Sequence, residues 1–363
     1  MEPRTTLAPV PASTTAGGPG TSGSAKSGST DWPRVTLHIV TGKGGTGKST
    51  VAAALALALA SHGNDVLLCE VEGRQGISRM FDVDPLPYEE RRIATGLTHP
   101  DSRGSNPGSV YALHIDPESA LLEYLAMFYR LGRAGRALER FGVIEFATTI
   151  APGVRDVLLT GKVYEAARRT GRRGTGRQYD AIVLDAPPTG RIGQFLNVNS
   201  ELAGLAKVGP IKTQADSIMT LLQSPRTAVH LVTVLEEMPV QETADGIEQL
   251  RGHQLPVGGV VVNMVRPPEL DQDDLVAARN GEIPSLSLVE DLSTAGIEAD
   301  DELVDGILAE ARHHAERRIL EDSQRVLVDD FDTPVYELRR LSSGIDLGGL
   351  YELAATLERQ GMA

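Results

Sequence analysis

The stretch GKGGTGKST, Gly42 to Thr50, lies between VTLHIVT (Val35 to Thr41) and VAAALALALA (Val51 to Ala60). The first flank is short, apolar and β-branched, and the second is longer and apolar. The glycine-rich stretch therefore joins an expected strand to an expected helix, the context a phosphate-binding loop requires. Gly42, Gly44, Gly45 and Gly47 let successive backbone N–H groups turn toward phosphate oxygens, and the following helix points its positive end at the same anion. Lys48 would reach the β- and γ-phosphates of a nucleotide and the Ser49 hydroxyl would ligand Mg²⁺, with Thr46 and Thr50 completing the loop.

Other apolar runs, read outward from the loop, have the continuous character of strands buried on both faces of a parallel sheet. VLLCEVEG (Val66 to Gly73) is one, AIVLD ends in Asp185, AVHLVTV begins at Ala228, and VGGVVVNMV (Val257 to Val265) carries Asn263 near its end. The expected fold is a doubly wound, mainly parallel α/β sheet of the P-loop NTPase type with a helical insertion. Ligands collect at the carboxyl ends of such strands. Asp185 is therefore placed to hold Mg²⁺ through water, the alternative being a helix cap.

Lys43 gives the loop the form K-G-G-T-G-K-S. This resembles the deviant Walker A loop of dimeric ATPases that include partitioning, division-site, nitrogenase-iron-protein and arsenite-pump members. The resemblance implies that Lys43 reaches across a subunit interface to a partner's nucleotide; the alternative is a solvated loop lysine. VEGRQGISRMF (Val71 to Phe81) is similar to the first switch of the arsenite-pump and tail-anchored-protein-targeting ATPases, in which an Asp-Pro-Ala-His segment leads to a helix. That implies a switch at Gly73 and Arg74 and puts Glu72 at the catalytic aspartate, where a carboxylate orients the attacking water. Glu72 is one methylene longer, and Gly73 and Gln75 replace the proline and histidine, so a switch salt bridge is the other reading. DAPPTG (Asp185 to Gly190) resembles the family's second switch, with Pro188, Thr189 and Gly190 sensing the γ-phosphate and Arg191 where histidine is common. The resemblance further implies that Asn263 hydrogen-bonds adenine and that Pro334, in RVLVDDFDTPVYEL, flanks it. That stretch is expected to supply the last strand and a loop. A structural turn is the alternative for Asn263.

With 363 residues, 41% of them hydrophobic, the chain can bury a large core. Residues 1–32, rich in Ser, Thr, Gly, Pro and Ala, are expected to form a disordered tail, and residues 33–363 a single ATPase domain. A helical insertion is expected at about 82–170 and further apolar helices at about 200–224. Leu121, Leu125 and Phe128 share a stripe, and Phe141, Ile144, Phe146 and Ile150 extend the apolar surface. It suits either a hydrophobic client segment or small ligand, or ordinary packing. The arginines from Arg168 to Arg177 are expected to form a solvated connection. A net charge of -14 argues against nucleic-acid binding. No run suits stable membrane insertion, and a cytoplasmic location is expected. Cys69 is the single cysteine, which excludes a thiolate metal cluster and metalloid capture by several thiolates. The resemblance thus implies an ATP- and Mg²⁺-dependent hydrolase, a homodimer or a heterodimer with a paralogous ATPase, that switches a helical client- or ligand-binding region. The alternative is an ATP-binding regulatory or scaffold subunit with weak hydrolysis.

Overall fold

The computed structural model describes residues 31–71, 75–98, 106–129, 152–169, 176–196, 210–267, 269–342 and 344–363. The expected 1–30 part of the tail, Glu72, Gly73, Arg74, and the apolar residues at 138–150 and 201–208 lie outside these.

Eight strands form one sheet in the order β3-β4-β2-β5-β1-β6-β7-β8. They are β1 (Leu37–Gly42), β2 (Val66–Glu70), β3 (Arg91–Thr95), β4 (Ser109–His114), β5 (Ala181–Asp185), β6 (Thr227–Thr233), β7 (Val257–Val265) and β8 (Val335–Arg339). Every neighbouring pair is parallel except β3 with β4. β1, β2, β5 and β6 are buried at every position, which is why their sequences read as unbroken apolar runs rather than alternating ones. The chain runs from β1 out to β2 on one side and later crosses from β5 over β1 to β6. The order thus reverses beside β1, where the strand ends leave a crevice.

Helices cover both faces. One face carries α1 (Lys48–Ser61), the short α2 (Gly76–Met80) and α11 (Leu347–Arg359). From Val51 to Ala60 every residue of α1 is buried, because it is sandwiched between the sheet and α11 and its alanines permit close approach on all sides. The other face packs α3 (Pro117–Tyr129), α4 (Pro152–Ala167), α5 (Thr189–Leu196), α6 (Pro210–Leu222) and α7 (Glu237–Gly252). The acidic C-terminal third adds α8 (Gln272–Asn280), α9 (Ser285–Thr294) and the 29-residue α10 (Asp301–Asp329). No described helix is long and apolar enough to cross a membrane.

Four expectations need correction. The helical insertion does not begin at residue 82: β3 and β4 belong to the main sheet, β4 pairing in parallel with β2, so the helices start at Pro117. Arg325 to Asp329 forms the last turns of α10, not a strand. Only Val328 of its apolar residues is buried, while Val326 and Leu327 are exposed, and the strand comes after Pro334. Asp31 and Trp32 are not tail. The Asp31 amide donates to Gly361 O at 2.8 Å, and Trp32 Nε1 donates to Tyr336 Oη at 3.0 Å. The arginine run is not wholly solvated: Arg169 pairs with Glu165 and Glu90, and Arg177 pairs with Asp65 while lying over the Tyr111 ring.

The apolar helices are likewise partly committed. Ala120, Leu121, Ile218, Met219 and Leu222 lie in the core cluster, so at these positions the packing reading holds.

Candidate nucleotide site

The loop from Gly42 to Thr50 leaves the carboxyl end of β1 and enters α1 at Lys48. Two glycines are fixed by close approach. A Cβ on Gly42 would lie 2.2 Å from the backbone oxygen of Val232 on β6. Gly47 caps α1 in the left-handed region, φ +87°, and a Cβ there would lie 2.3 Å from Asn263 Nδ2. At Gly44 and Gly45 a Cβ would meet open space, the side from which a ligand has access.

Hydrogen bonds hold the loop against its neighbours. Thr46 Oγ1 donates to Lys43 O at 2.9 Å, and Asn263 Nδ2, from β7, donates to Thr46 O at 2.9 Å. Thr41 Oγ1 donates to Pro187 O at 2.7 Å, tying β1 to the segment after β5. Thr50 Oγ1 lies 3.6 Å from Met80 Sδ on α2. The Lys48 side chain is buried within this ring of contacts.

Register accounts for the carboxylate. Val40 of β1 stands beside Asp185, the last residue of β5, and Ser49 rises in the first turn of α1. The Ser49 hydroxyl donates to Asp185 Oδ2 at 2.5 Å. Asp185 is buried, and its neighbour across the register on β2 is Glu70, also buried. Glu70 Oε1 accepts from the Gly76 amide at 2.7 Å at the start of α2, and its other oxygen lies 3.4 Å from His114 Nδ1. An alcohol and a carboxylate side by side at the mouth of a phosphate-type loop are a donor set of hard oxygens that fits Mg²⁺.

Past Asp185, Pro188 leads directly into α5, so Thr189 and Gly190 are its first residues. Thr189 is buried, and its hydroxyl donates to Glu242 Oε2 at 3.3 Å. The other oxygen of Glu242 lies 2.8 Å from Lys43 Nζ. Arg191 Nη2 lies 3.8 Å from Asp156 on α4, which links this segment to the helical region. Gln75 is spent on structure: its side chain donates to Leu86 O at 3.1 Å and accepts from the Leu86 amide at 2.8 Å.

The structure thus brings together Gly42, Lys43, Gly44, Gly45, Thr46, Gly47, Lys48, Ser49, Thr50, Asp185, Pro188, Thr189, Gly190 and Asn263. It does not bring Pro334 there. Pro334 precedes β8, and its carbonyl accepts from the Val260 amide, three residues before Asn263 on the parallel strand β7. Because the strands run the same way, Pro334 marks the amino end of β8, opposite the loop. The residues that follow Arg339 emerge on the loop side. Glu72, Gly73 and Arg74 fall outside the described residues. Sequence reasoning places Glu70 in the ligand neighbourhood, at the end of its strand, but gives Glu242 no role. For Glu242 the available signal was an acid early in a helix that follows a central parallel strand, since such a helix starts at the ligand end of the sheet.

A glycine loop between β1 and α1, with a carboxylate at the end of the adjacent strand, defines the class: an α/β P-loop nucleotide-binding protein. The comparison with known proteins narrows this. The anion-transporting ATPase family matches residues 35–224, and the chain belongs to that family. It is 52% identical over 338 residues to ATPase BagA of Mycobacterium tuberculosis strain H37Rv, spanning 92% of this chain and 97% of that protein. It is 24% identical over 269 residues to ATPase GET3 of Kluyveromyces lactis, covering 65% of this chain and 73% of the relative. To the arsenical pump-driving ATPase of Acidiphilium multivorum it is 28% identical over 261 residues, covering 66% of this chain and 41% of that protein.

Proposed function

We propose that this chain is a dimeric, Mg²⁺-dependent ATPase in which ATP binding and hydrolysis reshape the helical region around α3 and α4, where a hydrophobic client segment or small ligand is received. The observation that carries this reading is the convergence of Lys43, Lys48, Ser49, Asp185 and Thr189 at one end of the sheet, reached through the open side at Gly44 and Gly45. Loop amides and Lys48 hold the β- and γ-phosphates, and the amide of Asn263 is close enough to the loop to meet the base once it leaves Thr46. Ser49 and Asp185 would hold Mg²⁺, which neutralises charge on the phosphate oxygens when bound. Lys43 from a second copy stabilises the charge that spreads over the transferred group. Glu72 orients water, with Gly73 and Arg74 as the first switch and Pro188, Thr189 and Gly190 as the second. Arg191, 3.8 Å from Asp156, passes the state of the second switch to α4.

One observation favours a slower, regulatory variant of this role. Gln75 stands where the resembling switch carries histidine, and both ends of its amide are engaged by the Leu86 backbone. Such a subunit would bind ATP and hydrolyse it efficiently only beside an active paralogue. Steady-state turnover of the purified chain, with and without a paralogous ATPase, separates the two. Glu72→Gln is expected to leave ATP binding intact and to lower hydrolysis about tenfold or more. Unchanged turnover removes Glu72 from the mechanism. The same variant, isolated with ATP, is the form from which a bound client or ligand should be recovered.

A further inference from the structure

Glu242 makes two contacts that tie the loop to the second switch. One carboxylate oxygen lies 2.8 Å from Lys43 Nζ and the other accepts the Thr189 hydroxyl at 3.3 Å. The two side chains of the ion pair are 29% and 35% exposed, so the pair stands at the edge of the site, open to exchange with an incoming anion. Glu242 itself is carried on α7, whose third turn packs beside α5 through the close approach of Gly246 to Thr189 Cγ2, 3.4 Å for an added Cβ.

Both contacts use donors that a nucleotide would claim. A threonine hydroxyl has one proton and can donate it to one acceptor at a time, so Thr189 satisfies either Glu242 or a phosphate oxygen. The Lys43 ammonium cannot reach toward a second copy while its charge is neutralised by a carboxylate of its own chain. Resting on the dimeric-ATPase reading, we propose that Glu242 is a positioning residue: in the nucleotide-free chain it holds Lys43 inward, and Lys43 is released when phosphate, an acceptor for Lys43 and Thr189 alike, competes for both donors. Because a partly exposed pair is weak, the restraint sets a threshold without preventing closure, and its removal is expected to shift the balance only about threefold.

The test uses the full chain and two readouts. In the first, nucleotide-free protein is treated with a limiting amount of an amine-acetylating reagent and each lysine is quantified by peptide mass spectrometry. Glu242→Gln keeps an acceptor for Thr189 but removes the charge. It is expected to raise labelling of Lys43 about threefold while exposed Lys212 is unchanged. Glu237→Gln, the same charge change elsewhere on α7, should leave Lys43 as in the parent, and Glu242→Asp, one methylene shorter, should give an intermediate value. In the second, sedimentation follows dimer formation against ATP concentration, and Glu242→Gln is expected to dimerise at about threefold lower ATP.

Equal Lys43 labelling in the parent and Glu242→Gln overturns the proposal, as does a Glu242→Gln protein that needs more ATP to dimerise. If the parent shows no ATP-dependent dimer at any concentration, the dimeric reading fails. The labelling experiment then still decides whether Glu242 restrains Lys43.

Discussion

The two ends of the central strands use polar side chains in opposite ways. At the carboxyl ends, Lys43, Ser49, Asp185, Thr189 and Glu242 pair with one another in contacts that lie next to open space or at partly exposed positions. Toward the amino ends, His38, the second residue of β1, is fully buried against His230 from the middle of β6, the rings nearly parallel and Nδ1 to Nε2 at 3.0 Å. The Gly259 amide donates to His230 Nδ1 at 3.1 Å, and the Trp32 ring meets His230 edge-on. Trp32 in turn donates to Tyr336, whose hydroxyl donates to Asp31 at 2.6 Å. Strands β1 and β6 contribute to both ends. One end leaves its polar partners beside open space and the other buries its histidine pair away from water, so the sheet has a working end and an anchored end.

The comparison breaks first at Lys43. Lys43→Ala is expected to lower ATP turnover on the order of a thousandfold while nucleotide binding is retained, because a second cation is lost only where charge develops during transfer. Paired turnover and nucleotide-titration measurements check this; near-normal turnover removes the cross-interface role.

Next in size is Gly42→Ala. The added methyl meets the Val232 carbonyl, a backbone group that cannot rotate aside, and a loss of about 3 kcal/mol in unfolding free energy is expected. Denaturant unfolding measures it.

The anchored end is tested by pH. Burial lowers the His38 pKa from 6.5 to about 4, and burial together with the neighbouring ring pushes His230 well below its usual value. Between those values the unfolded chain binds more protons than the folded one. The contribution of His38 to stability is therefore fully present above about 6.5 and lost as pH falls toward about 4. It amounts to about 3 kcal/mol on a scale of about 1.4 kcal/mol per pKa unit. Urea unfolding at several pH values should show a shallower slope in His38→Gln than in the parent.

The smallest expected effect joins Asn263 to Gly47. Asn263→Ala removes the hydrogen bond to Thr46 O and should cost about 1 kcal/mol. In that background Gly47→Ala no longer collides with Nδ2, leaving only the strain of its positive φ. A double-mutant cycle on unfolding free energy should give a coupling of about 1 kcal/mol, favourable to the double variant; strict additivity would show that the two residues do not meet.

Much of the working end was legible from sequence because it is local or strand-terminal. The loop is contiguous, and the runs before Asp185 and Asn263 are apolar enough to be central strands whose ends must face the loop. What could not be read depends on which strands become neighbours. Glu242 meets Lys43 only because β6 settles beside β1, and Glu70 meets Asp185 only because β5 inserts between β1 and β2. Pro334 was misplaced because a match of residue type does not say whether a proline enters or leaves a strand. β3 escaped notice because its Arg91 and Arg92 are exposed and adjacent and a register irregularity follows Arg92, so it has no clean alternation. The apolar segment Arg325 to Asp329 was read as a strand on composition, although the long helix before it simply continues.

That irregular β3 has a consequence for how the chain keeps to itself. It is five residues long, runs against the direction of all the others, and presents two guanidinium groups at the outermost position of the sheet. A further strand adding there, from a nascent neighbour or a misfolded copy, would have to strip water from both cations. Growth of the sheet on that side is therefore disfavoured at β3, which guards the folded chain against edge-to-edge aggregation.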